Sequence, residues 1–258
     1  MKFVDSHIHL CDVAYKKYYD MIFQLINNSN IECFCMSENL ETSVETILLR
    51  QRCLGNPDMI HSFVGIHPQF ARQKSDYEVF EDFFGSHSKL ITGIGEIGLD
   101  PTYVDLHGCS YMNTQKWIFE QMLNLAEKNN KPISIHSRRS VDQILEILPS
   151  FRIKRAVFHW YDGSKKNLRK INDHGFFASF GPYLLYNIDK QNLFKECNPS
   201  FVLLETDGPV SYKNCFQDVF TTPSLIITLV YFISTLLRIS FEEATRMIVA
   251  NSSRFISY

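Results

Sequence analysis

The chain has 258 residues, 45% of them apolar, and a formal net charge of −2. That length buries a large core without disulfide staples and suits one α/β barrel or two small domains. The near-neutral balance excludes a strongly basic nucleic-acid coat protein, although a local basic patch can still steer an anionic ligand.

The chain opens on MKFVDSHIHL, which lacks the apolar core and small-residue cleavage site of a signal peptide. Eight β-rich runs follow in order: Lys2–Asp5, Glu32–Ser37, Ile60–Ile66, Ile91–Glu96, Pro132–His136, Ala156–His159, Phe176–Phe180 and Phe201–Glu205. Helical patterns separate them at Ala14–Asn28, Leu40–Gly55, Tyr77–Phe84, Thr114–Lys128, Ser140–Leu148 and Lys165–His174, and Phe241–Val249 closes the chain. The apolar stretch Leu225–Leu237 is too short to span a bilayer and reads as a buried helix, so no membrane association is expected. Apolar strands alternating with helices imply a parallel sheet covered by helices. Eight such strands in this length favour a closed (β/α)8 TIM barrel. No low-complexity linker or charge run divides residues 1–258, which are read as a single domain. Seven scattered cysteines fit a reducing cytoplasm; Cys33 and Cys35 are expected as buried residues on one strand face.

Chemistry concentrates where the strands stop. Asp5-Ser6-His7-Ile8-His9, Gly65-Ile66-His67-Pro68, Gly95-Glu96-Ile97-Gly98-Leu99-Asp100, His136-Ser137-Arg138, His159-Trp160 and Glu205-Thr206-Asp207-Gly208-Pro209 each end a run. In a barrel these ends gather on the face that carries active sites. His7 and His9 sit two apart, so on a strand both imidazoles face one way; alone, the pair equally suits two polar residues at a strand end. Glu96 lies between glycines and has two oxygens with which to bridge cations. The run is not a phosphate-binding loop, since it lacks both the G-x-G-x-x-G spacing and a P-loop lysine. His136 and His159 end successive apolar runs, and each alone is more simply a hydrogen-bonded histidine. Asp207 follows Val202-Leu203-Leu204, where an unpaired charge would be very costly. Together these residues supply four histidines and two carboxylates from five strands, a donor set for two divalent cations that acidify a water and polarise a scissile bond. Asp207 is then placed to accept the proton of that water. Histidine ligation leans toward Zn²⁺ or Mn²⁺, phosphodiester chemistry toward Mg²⁺.

The motifs D-S-H-I-H-L, G-I-H-P-Q, G-E-I-G-L-D, Gln115-x-x-x-Phe119, Pro132-x-x-x-His136-x-Arg138, E-T-D-G-P and the terminal Asn251-x-x-Arg254-Phe255 resemble the TatD-type metal-dependent deoxyribonucleases of the amidohydrolase superfamily, over nearly the whole chain. The resemblance implies a TIM barrel in which His7, His9, Glu96 and Asp207 hold one cation, and Glu96, His136 and His159 the other. It also implies substrate contact by His67, a phosphate clamp at Arg138, and hydrolysis of DNA, as in a 3′→5′ exonuclease. The loops depart from the family pattern. His159-Trp160-Tyr161-Asp162-Gly163 stands where relatives commonly read H-C-F-S-G, Pro101-Thr102-Tyr103 follows G-L-D, and Thr221-Thr222-Pro223-Ser224 replaces R-N-E-P. These departures leave open a second reading, hydrolysis of a small amide, ester or lactone. Glu205 shares the face of Asp207 and is a candidate to order it or to bind substrate, or else packs elsewhere. Trp160 and Tyr161 either stack a base or cover the barrel mouth. His107 is a lesser substrate candidate, His87 and His174 read as helix-end or surface residues, and Lys165 and Lys166 as a solvated helix start. No protein partner is indicated.

Overall fold

A computed structural model describes residues 1–52, 57–103, 110–213 and 217–257. Eight strands lie side by side in chain order: β1 (Phe3–Ile8), β2 (Ile31–Cys35), β3 (Ile60–Val64), β4 (Gly93–Gly98), β5 (Ile133–His136), β6 (Ala156–Phe158), β7 (Phe177–Phe180) and β8 (Val202–Leu204). Every neighbouring pair is parallel, with Phe3 opposite Ile31 and Ala178 opposite Val202 near the two ends of the series. The order closes on itself. The His9 amide donates to the Gly208 carbonyl (2.8 Å) and the Asp207 amide to the His7 carbonyl (2.9 Å). The buried Asp5 carboxylate accepts from both the amide (2.9 Å) and the hydroxyl (2.5 Å) of Thr206 across the same seam. This is the (β/α)8 TIM barrel that the alternation predicted.

Nine helices are described around it: α1 (Tyr19–Ser29), α2 (Leu40–Arg52), α3 (Ser75–His87), α4 (Ser110–Lys128), α5 (Val141–Ile147), α6 (Lys165–Asp173), α7 (Ile188–Glu196), α8 (Leu225–Leu237) and α9 (Phe241–Ile256). Their ends carry readable signals. Asn30 terminates α1 in the left-handed conformation, Ser164 caps α6, and Ser240 with Glu243 forms a capping box at α9. Two expectations shift, and a third falls outside the described residues. The helix expected over Ala14–Asn28 begins as a 3₁₀ turn, Val13–Tyr18. The expected end of α2 at Gly55 lies outside the described residues, as do His107, Cys53, Cys109 and Cys215. α7 was not anticipated: only Leu193 and Phe194 of its residues are buried, too few for a clear 3.6-residue periodicity. α8 is the apolar helix expected, but only one face of it is buried, with Tyr231 exposed on the other; no single helix among the described residues is long and apolar enough to cross a membrane.

Inward and outward residues alternate as the pleat requires. On β2, Phe34 belongs to the barrel interior, while Cys33 and Cys35 pack with the outer core beneath the helices. The interior is filled by Val4, Phe34, Met36, Phe63, Val157, Phe177 and Leu203. Gly93 makes room for them, since a methyl group there would fall 2.1 Å from the Phe63 ring. The floor is Phe255 from α9. Its ring stacks 5.9 Å from Phe63 and meets Phe177 edge-on at 5.7 Å. Asn251 anchors the same helix by donating to the Pro199 and Val202 carbonyls (2.7 and 2.9 Å), and the Arg254 guanidinium lies over Phe177 and Phe201. The terminal N-x-x-R-F motif therefore plugs the end of the barrel opposite the strand-end histidines. Truncating a fully buried Phe leaves a cavity, so Phe255→Ala is expected to cost about 3–5 kcal/mol of stability in urea unfolding; a loss below about 1 kcal/mol, in the range of surface changes, would show that the plug is dispensable.

Candidate metal centre and active site

The strand-end residues meet around Glu96, which is 3% exposed and sits inside β4 rather than at its end. The Nε2 atoms of His7 and His9 lie 3.1 Å apart. Each is 3.4 Å from Glu96 Oε2 and 3.5 Å from Asp207 Oδ1. Two ligand atoms about 2.0–2.1 Å from one tetrahedral cation are separated by about 3.3 Å, so these spacings suit one ion. The other oxygen of Glu96 faces a second group. Oε1 is 2.8 Å from His136 Nδ1 and 2.7 Å from His159 Nε2. His67 Nε2 joins them, 3.5 Å from Oε1 and 3.2 Å from His136 Nδ1. The donors are imidazole nitrogens and carboxylate oxygens, the chemistry that zinc and manganese favour.

Local structure fixes each donor. The register of β1 on β2 shifts between Asp5 and Ile8, which turns both His7 and His9 toward Glu96. The Ser134 hydroxyl, 3.2 Å from His7 Nδ1, can accept the proton there and leave the Nε2 lone pair facing Glu96 and Asp207. Asp207 takes a left-handed backbone (φ 49°), held by the hydrogen bond that its amide donates to the His7 carbonyl. Away from helix ends, such a conformation in a non-glycine residue is costly and persists where the surroundings hold it. Gly98 (φ 152°) lets β4 pass against β5, where any Cβ would strike the His136 carbonyl.

Of the expected substrate contacts, His67 lines the cavity above the cluster and Arg138 stands exposed on its wall. Glu205 is placed elsewhere. It is fully buried behind His159, accepts from the Trp160 amide (2.6 Å) and the Ser179 hydroxyl (2.5 Å), and lies 3.9 Å from His159 Nδ1. Its carboxylate therefore stands off the cavity wall, grouped with His7 and His159 as a further oxygen donor. Tyr161 is likewise buried, donating to the Ser164 carbonyl, so of the aromatic pair only Trp160 lines the cavity. His87 and His174 cap the last turns of α3 and α6, as expected. Lys165 pairs with Glu196 on the surface.

Sequence reasoning passed over three carboxylates. Asp100 is buried, accepts from the Thr102 amide and hydroxyl, and holds His136 Nε2 at 2.9 Å, which directs Nδ1 to Glu96. Asp5 secures the seam beneath His7. Glu38 lines the cavity, its carboxyl pushed up by burial. Both Asp100 and Glu38 stand just past a strand, so the strand-end signal that found the histidines could have found them.

The buried carboxylates govern the protons. Burial would raise Glu96, but the charge of His159 and hydrogen bonds from His136 and His159 hold it well below the carboxylate range. Burial would likewise lower His9, His136 and His159. Hydrogen bonds to Asp207 and Glu96 raise His9, those to Asp100 and Glu96 raise His136, and the charges of Glu96 and of the nearby Glu205 carboxylate raise His159. His67, pushed down to about 3 by burial, stays neutral. Raised imidazoles hold their protons more tightly than free ones, and a cation competes with those protons for the same lone pairs. Uptake of Zn²⁺ or Mn²⁺ is therefore expected to release protons and to weaken as pH falls. Titration calorimetry in buffers of different ionisation enthalpy reads this directly; a heat independent of buffer would contradict it.

The sequence profile described as TatD related DNase matches residues 4–257. An uncharacterized metal-dependent hydrolase of Methanocaldococcus jannaschii is 25% identical over 99% of this chain and 97% of its own. Human deoxyribonuclease TATDN3 is 24% identical over 80% of this chain and 77% of its own. Among solved structures, the Escherichia coli TatD homologue YJJV superposes with a TM-score of 0.89 at 20% identity, covering 99% of this chain and 98% of the other. A TatD family hydrolase from Entamoeba histolytica gives 0.84, also at 20%, over 100% and 98%. The barrel, the histidine–carboxylate clusters and the profile together assign the chain to the TatD-related family of metal-dependent hydrolases.

Proposed function

We propose that the whole chain, residues 1–258, works as one two-cation phosphodiesterase that hydrolyses DNA, as a 3′→5′ exonuclease does. The observation that carries this reading is the division of Glu96, with one oxygen toward His7 and His9 and the other toward His136 and His159. On this reading His7, His9, Glu96 and Asp207 hold the first divalent cation, and Glu96, His136 and His159 the second. The naming of human TATDN3 as a deoxyribonuclease supports the substrate class. So does the cavity, about 1290 Å³, which exceeds the roughly 300–1,000 Å³ typical of small-ligand pockets and has room for the end of a polymer.

When Mg²⁺, Mn²⁺ or Zn²⁺ occupies both positions, the pair supplies an acidified water and positive charge against the reacting phosphate. The remaining work belongs to side chains. The Asp207 carboxylate lines the cavity and takes the proton of the attacking water, later returning it to the leaving oxygen. Neutral His67 is available to orient a phosphate oxygen by hydrogen bonding. Arg138, on the cavity wall, offers a planar fork that clamps another. Glu205 and Asp100 keep His159 and His136 in orientation.

Purified protein with Mg²⁺ or Mn²⁺ is expected to shorten labelled single-stranded DNA, and Asp207→Asn to lower the rate at least about 10²-fold, the lower end of what a positioned acid–base group contributes. A panel that includes a chromogenic ester and a lactone checks the alternative: turnover of either, with DNA left intact, would move the assignment to small-molecule hydrolysis.

A further inference from the structure

Trp160 follows His159 directly, so its side chain is tied to one of the residues nearest Glu96. Its backbone is left-handed (φ 40°), and its amide is held by Glu205 at 2.6 Å. This conformation turns the indole out of the strand direction and into the wall of the cavity. The ring does not stand alone. Tyr212, 4% exposed and fixed by donating to the Thr206 carbonyl, stacks against it at 5.5 Å with 27° between planes. Tyr183, also on the cavity wall, braces it at 5.6 Å, and is itself packed 5.6 Å from Tyr212. The result is a rigid aromatic shelf beside the histidine–carboxylate cluster, with Arg138 and Arg139 on the same cavity.

We infer that Trp160, braced by Tyr183 and Tyr212, is the platform on which the nucleobase next to the scissile phosphate stacks. The inference rests on the phosphodiesterase reading and names the part of the substrate that the cavity grips beyond its phosphate. A flat, half-buried indole in a polar cavity suits a flat π-face better than an aliphatic chain, and stacking accepts every base. The platform therefore favours unpaired DNA ends, whose terminal bases are free to leave their own stack, over internal positions of a duplex. A mere lid over the barrel mouth would need apolar bulk but no particular ligand.

The chain has two tryptophans, Trp117 and Trp160. Trp117 is on α4, packed against Tyr77 and under Lys74, outside the cavity lining. Trp117→Phe thus leaves Trp160 as the only indole reporter. Its fluorescence is measured with Mn²⁺-loaded protein and a phosphorothioate-linked pentathymidylate, chosen to resist hydrolysis, and with an abasic chain of equal length and charge. The thymidylate is expected to quench, the abasic chain not. Trp160→Ala is expected to weaken thymidylate binding about 5- to 150-fold, the effect of losing one base–aromatic stack, without changing abasic binding; Trp160→Phe restores most of the affinity. Equal quenching by both chains, equal loss of both in Trp160→Ala, or wild-type affinity in that variant overturns the inference while DNA cleavage by the wild type keeps the phosphodiesterase reading. A wild-type protein that neither binds nor cuts DNA removes both.

Discussion

A carboxylate buried among imidazoles is the constraint on which the rest of the site depends. Glu96 is nearly inaccessible to water, and an ionised carboxylate in such a place needs compensating positive charge on both oxygens. His9, His136 and His159, raised by the carboxylates beside them, supply it from two sides, with His7 and His67, both lowered by burial, packed next to them. Protons on imidazoles provide that charge when no cation is present, and a cation competes with them for the same lone pairs. Protons and cations are therefore alternatives at this site.

That geometry is assembled from opposite ends of the chain. Asp207 comes within reach of His7 and His9 only because the segment after β8 hydrogen-bonds to the end of β1, and Asp5 locks Thr206 across the seam. At the other end of the barrel, Phe255 and Asn251 fasten the last helix under β8. Stability and chemistry thus occupy opposite faces, as the fold permits. The backing residues follow the same logic. Ser134, Asp100 and Glu205 each stand behind one imidazole, so ring orientation is settled by the strands and not by a ligand.

The histidines and Asp207 were legible in the sequence because each interrupts or ends an apolar run, and a barrel gathers those ends. Glu96 was legible as a residue but not in its setting. The glycines around it weaken the strand pattern, so β4 was read as stopping at Glu96, whereas it continues to Gly98. Asp100 and Glu38 stand just past the strands, within reach of the strand-end signal, but a carboxylate there also reads as ordinary loop, so neither was given a role. Glu205 shows the limit of alternation: two residues from Asp207 it should share a face, yet Asp207 lines the cavity beside His7 while Glu205 is buried against the Trp160 amide and Ser179. α7 lacked a periodic apolar face altogether.

The most direct measurement is metal stoichiometry, by elemental analysis of protein reconstituted with Zn²⁺ or Mn²⁺ and then desalted. Two ions per chain in the wild type, with both positions emptied or weakened in Glu96→Ala and only one in His136→Ala, are the predicted result. A single ion in the wild type, or two ions retained in Glu96→Ala, would contradict the shared carboxylate at the centre of the account.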